Sequence, residues 1–178
     1  HCDGAVDGYD SAGGSCVFPI GGCYFGLNYF KQLSVGLDQN AVTKAHHHTC
    51  FEAHIVTKGS QRYEAGSREY LLLPGTVLMI PPRIRHRVIA STPDTEKTSI
   101  TFRFSQWSPE NIVFCPLPAD GEQALAYIKQ EAALNRSLSR VLVENRVFES
   151  IVTLLRLAGL PEDSAPPATG EHSALSLS

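Results

Sequence analysis

Four side chains able to ligate a metal alternate within one short stretch of this chain: His46, His48, Glu52 and His54. In an extended segment alternate side chains share a face, so all four point the same way. A second stretch, from Gly75 to Val88, carries the apolar run Val77-Leu78-Met79-Ile80, closes at Pro81-Pro82 and then alternates. There Ile84, His86 and Val88 share one face, and Arg83, Arg85 and Arg87 share the other. His86 is thus an inward histidine among apolar neighbours and needs a polar partner. Three imidazoles and a carboxylate that converge in this way suit a divalent transition metal such as Zn, Ni, Fe or Mn, with Cu also accommodated. They leave positions open for water or a small ligand. The same groups serve equally as hydrogen-bonding partners for an organic effector, with His54 lining the pocket rather than adding a ligand. His47 has the outward parity and reads as surface, whereas Cys50 has the inward parity and flanks the site.

Groups so arranged must be held by strands. Aromatic and β-branched residues predict strands over 24–30, 31–37, 41–45 and 51–57, the last ended by Lys58-Gly59-Ser60. Segments 61–64 and 69–73 flank the hairpin turn Ala65-Gly66-Ser67-Arg68, and further strands are expected over 77–80, 86–90 and 97–104. Eight or nine short strands at close spacing are the pattern of an antiparallel sandwich or barrel. After Trp107-Ser108-Pro109 the period changes. Cys115-Pro116-Leu117-Pro118 reads as a stiff connector, and helical spacing follows over 120–134 and 138–157, with Ser137 or Ser139 as N-cap of the second helix. That second helix is apolar on more than one stripe and needs two surfaces to bury against, the barrel and a second copy of the chain. Gly159 ends it and Pro161 blocks its continuation.

The organisation expected is therefore a flexible Gly-, Asp- and Ser-rich arm over 1–22, a barrel over 23–115, a helical hairpin over 116–160 and a linker over 161–178. With 178 residues, 43% hydrophobic and 19% charged, the chain has material for one well-buried domain plus a small appendage. A net charge of −3 and a pI near 6.2 exclude a broad phosphate-gripping surface on this chain itself. Five scattered cysteines without C-x-x-C spacing argue against a disulfide framework or zinc ribbon, and so for a reducing cytoplasm. No stretch reaches the roughly 20 apolar residues that cross a bilayer.

The spacing His46, His48, Glu52, Gly59 resembles the first motif of the cupin superfamily, and Gly75, Pro81, His86 resembles its second. Two motif glycines are replaced, by Asn40 and Arg83. The resemblance implies a mainly β fold, a cupin-type double-stranded β-helix or jelly-roll barrel, here followed by two C-terminal α-helices, and a metal-ligand set of His46, His48, Glu52 and His86. The order of barrel, two helices and polar linker is similar to the sensor half of AraC-type bacterial regulators. That likeness implies a small-molecule effector in the lumen at His46, His48, Glu52, His54 and His86, with the arm as lid. It implies a homodimer through the helices, and DNA contact only through a downstream helix-turn-helix domain that is not in this chain. Arg62, Arg68, Arg103, Tyr29 and Tyr63 are the further residues whose chemistry suits an effector's carboxylate or hydroxyls. The rival reading is a stand-alone metal-dependent cupin enzyme, an oxygenase or isomerase acting on a small polar substrate. It accounts for the full ligand set but not for the apolar second helix.

Overall fold

The computed structural model describes residues 11–18, 21–31, 44–104 and 110–159. In chain order these form β1 (Ser11–Phe18), β2 (Gly21–Lys31), β3 (Phe51–Lys58), β4 (Gln61–Ala65), β5 (Arg68–Leu72), β6 (Thr76–Ile80), β7 (His86–Ser91), β8 (Glu96–Phe104), β9 (Val113–Pro116), α1 (Ala119–Leu134) and α2 (Ser139–Leu157). Six strands make one sheet in the order β1-β2-β8-β3-β6-β9 and three make the other in the order β5-β4-β7. Every named pairing is antiparallel.

The central strands of the larger sheet are buried on both faces, which is why β3 lacks the polar alternation of a half-exposed strand. Its odd residues Phe51, Ala53 and Ile55 join Val77, Met79, Ile100 and Phe102 and pack against Leu125, Ile128, Val147, Ile151 and Leu154 of the helices. Residues of the other parity turn between the sheets, where Val56, Tyr63, Ala65, Leu72, Leu78, Ile80 and Val88 form a second apolar cluster. Each such side chain contributes about 1.5–3 kcal/mol by leaving water. The helices therefore cover the outer face of the same strands whose inner face lines the lumen.

Turn chemistry sets the registers. The two-residue β4–β5 turn begins on Gly66 at φ 60°, a conformation open to glycine. Gly59, at φ 68°, ends β3, and a Cβ there would come within 2.9 Å of the Thr95 Cα. That close approach lets Ser60 bind the β7–β8 turn, with its carbonyl accepting from Thr92 N–H at 3.0 Å and from the Thr95 hydroxyl at 2.9 Å.

Several expectations shift. Ser11–Phe18, within the segment read as an arm, is a strand paired residue by residue with β2. Glycines and polar residues hide it, because its partner rather than its own apolar period defines it. The strand predicted over 24–30 lies within β2, which extends to Lys31; residues 32–37, which carry most of the strand expected over 31–37, and most of 41–45 lie outside the described residues. The connector at Cys115-Pro116 is the end of β9, an edge strand on β6 where a proline costs no interior ladder bond. Neither proposed serine caps α2. Its N-cap is Leu138 at φ 66°, while the Ser139 hydroxyl accepts from Arg136 N–H at 2.7 Å and donates to Glu131 at 2.6 Å. Gly159 does close α2 at φ 73°; the linker beyond it lies outside the described residues.

Candidate metal and effector site

The two histidine-bearing stretches meet along the β3–β6 ladder and at an isolated bridge between His46 and His86. His46 N–H donates to the His86 carbonyl at 3.0 Å and His86 N–H donates back at 2.9 Å. His46 and His48 lie in an extended segment just before β3, Glu52 and His54 in β3, and His86 at the start of β7. A third tie, Arg83 N–H to the His48 carbonyl at 2.8 Å, needs Arg83 at φ 68°. This is the position where the second motif expects glycine. The arginine holds the same left-handed turn at a cost of roughly 1–2 kcal/mol.

The result is that ligand atoms of His46, His48, Glu52 and His86 all lie within 4.8 Å of one another. Two of the rings are already oriented for ligation. Nδ1 of His46 is 2.7 Å from the Lys44 carbonyl and Nδ1 of His86 is 2.9 Å from the Ile84 carbonyl. A carbonyl only accepts, so each Nδ1 bears the proton and each Nε2 presents a lone pair. Glu52 Oε2 sits 2.9 Å from His86 Nε2 and 3.4 Å from His48 Nε2. Yet both Glu52 Oε2 and His86 Nε2 are buried without a hydrogen bond. Converging lone pairs left unsatisfied away from water are what a cation would repay, so the three imidazoles and the carboxylate fit a divalent metal.

Electrostatics point the same way. Burial pushes the Glu52 carboxyl up, but the adjoining imidazoles of His54 and His86 outweigh it and hold the group well below the usual carboxylate range. Burial lowers the His86 imidazole, and contact with the charged Glu52 more than reverses this, leaving it above the ordinary histidine value. His48 is lowered, by burial first, with Glu52 opposing. The site is therefore built around one persistent negative charge.

His54 does not join the four. It is buried one step deeper, with Nε2 3.3 Å from Glu52 Oε1 and Nδ1 near Ser99 Oγ at 3.0 Å and the Tyr63 hydroxyl at 3.1 Å. Lys97 reaches the same group, donating to the Tyr63 hydroxyl and lying 3.5 Å from His54 Nδ1. Burial lowers its amine to about 8, against the charge of Glu52. Lys97 and Ser99 were not singled out from the sequence, although the parity of β8 marks them: Lys97, Ser99 and Thr101 alternate with Thr98, Ile100 and Phe102. Of the five residues proposed to face an effector, Tyr63 is buried in the lumen, Arg62, Arg68 and Arg103 are exposed, and the Tyr29 side chain lies outside the description. His47 is exposed as expected and Cys50 is buried. Arg83 and Arg85 are exposed; Arg87 is half-buried in a 3.0 Å pair with Glu64, an exposed contact worth little.

Residues 33–111 match the family model of the AraC-like ligand binding domain. No curated protein matches the chain. Similar solved structures include KdgF from a Halomonas species, at 20% identity and TM-score 0.39 over 61% of this chain and 86% of that one. A cupin 2 conserved barrel domain protein from Salinispora arenicola matches at 14% identity and TM-score 0.37, over 55% and 76%. A structure described under the DMSP lyases RdDddP and RnDddQII matches at 16% and TM-score 0.37, over 47% of this chain and only 40% of its own length. No helix among the described residues is long and apolar enough to cross a membrane.

Proposed function

We propose that this chain, whose residues 33–111 match the family model of the AraC-like ligand binding domain, is the effector-sensing, dimerising part of a cytoplasmic bacterial AraC-type transcription regulator built on a cupin barrel. The observation that carries the reading is the shared use of β3 and β8. Glu52 and His54 turn to the lumen beside Ser99, while Ala53, Ile55, Ile100 and Phe102 of the same strands seat the helical hairpin. A ligand that favours one arrangement of the lumen side chains over another biases the helices through a single thickness of backbone, at a coupling of about 1–3 kcal/mol.

His46, His48, Glu52 and His86 hold a divalent transition metal, which when bound supplies a Lewis-acidic point for an oxygen-bearing effector. Glu52 provides the charge and the His46 and His86 backbone carbonyl contacts keep the rings aimed. The helices carry the dimer: Leu134, Leu138, Val141 and Leu142 lie 48–75% exposed around the α1–α2 turn, an apolar patch suited to a second copy. DNA is read by a domain downstream of this chain.

The complete three-histidine, one-carboxylate set also favours a second reading, a metal-dependent cupin enzyme acting on a small polar substrate. One experiment separates the two. Purified protein, metal-loaded and metal-free, is challenged with a panel of small hydroxy and keto acids and sugars, following melting temperature and turnover together. Saturable stabilisation of about 2.7 kcal/mol at a hundredfold excess over Kd, without conversion, is the sensor's result. Conversion abolished in His86→Ala would overturn it in favour of the enzyme.

A further inference from the structure

Glu52 offers two oxygens, and the surrounding residues treat them differently. Oε2 faces the histidine cluster, whereas Oε1 faces His54 Nε2 at 3.3 Å. Three polar groups converge on the far side of that ring: the Ser99 hydroxyl at 3.0 Å and the Tyr63 hydroxyl at 3.1 Å, each able to donate or accept, and the Lys97 ammonium at 3.5 Å, which only donates. Lys97 is cationic below about pH 8 and donates to the Tyr63 hydroxyl, which leaves that hydroxyl's own proton available to the ring. An imidazole met by donors at Nδ1 keeps its lone pair there and carries its proton on Nε2. That proton-bearing edge is buried with no other hydrogen-bond partner and lies against Oε1. The tautomer is the opposite of the one held at His46 and His86, whose Nδ1 atoms face carbonyls.

We propose that His54, held in the Nε2–H tautomer by Ser99, Tyr63 and Lys97, is a positioning residue that occupies one oxygen of Glu52 and so makes this carboxylate a single-oxygen ligand through Oε2. The inference rests on the metal reading above and extends it to how the ligand set is tuned. All four supporting residues are at most 6% exposed, so their contacts do not compete with water. Their arrangement is that of a polar layer behind a ligand, where loss of a partner costs tens-fold in metal affinity.

Two substitutions isolate the claim. The side-chain amide nitrogen of glutamine falls near imidazole Nε2, and that of asparagine near Nδ1. His54→Gln therefore keeps a donor against Oε1, and His54→Asn removes it while remaining polar. Each variant and the wild type is equilibrated with Co(II), its affinity measured by chelator competition and its visible spectrum recorded. His54→Asn should bind about 10–100-fold more weakly with an altered spectrum, and His54→Gln should stay near wild type in both. Tyr63→Phe, which leaves the ring and its packing, should shift the spectrum in the direction of His54→Asn by a smaller amount. If both His54 variants match wild type, or weaken equally with unchanged spectra, the positioning role is overturned while the metal site stands. A wild type that takes up no Co(II) overturns both.

Discussion

The two faces of β3 and β8 run side by side through the same backbone and do opposite work. On the outer face Phe51 and Phe102 stack with ring centroids 5.0 Å apart, among aliphatic side chains that anchor the helices. On the inner face, one residue away along each strand, His54, Lys97 and Ser99 are buried and Glu52 is half-buried, but as charged and polar groups. The apolar face draws its stability from area removed from water and is indifferent to pH. The polar face spends stability on desolvation and recovers it through specific partners. A site that responds to a ligand belongs on the second kind of surface, and an element that transmits the response belongs on the first.

The largest effect that can test this contrast is on the outer face. Phe102→Ala should cost about 3–5 kcal/mol in urea unfolding, with metal stoichiometry per folded molecule unchanged; loss of the metal in step with stability would mean the faces are not separable. Next comes pH. Burial holds the His54 imidazole down at about 4 in the folded state, against 6.5 ordinarily, with Lys97 adding to the shift and Glu52 opposing it. Between those values the unfolded chain binds the extra proton, so stability should fall as pH drops from about 6.5 to about 4, by on the order of a few kcal/mol. Glu52, also lowered, adds loss in the same direction at acid pH, whereas His86, raised, opposes it by losing its contribution as pH climbs through its folded value. Metal-free unfolding curves across pH should show a shallower acid slope in His54→Gln, and an identical slope would remove His54 from the account.

Smaller changes sharpen the comparison. Arg83→Gly relieves a left-handed non-glycine turn while keeping the N–H that binds the His48 carbonyl, and should raise stability by about 1 kcal/mol with metal affinity retained. The smallest expected change in folding free energy, within about 0.5 kcal/mol, comes from Leu138→Glu combined with Leu142→Glu at the exposed helical turn. These should nevertheless convert a dimer to a monomer in sedimentation. Dimers that persist with both charges in place would rule out that patch as the contact.

Much of the barrel was legible because its determinants are local. Alternation in 86–90 and 97–104 placed β7 and β8 within a residue of their observed limits, and the 3.6-residue spacing placed both helices equally well. Legibility failed where a strand owes its existence to its neighbour. Ser11–Phe18 and Val113–Pro116 are edge strands with weak periods of their own. It failed again at Ser139, whose hydroxyl was expected at the start of α2 but is committed to Glu131, a contact set by how the two helices meet.

The types and spacing of His46, His48, Glu52 and His86, with Gly59 and Gly75 at their turns, are enough to specify a ligand set, because alternation along a strand is a local property. That the two halves touch, and that one carboxylate oxygen is reserved by a histidine backed by Ser99, Tyr63 and Lys97, depended on strand order and register across β3, β4, β7 and β8. Those are long-range pairings, and no window of sequence contains both partners.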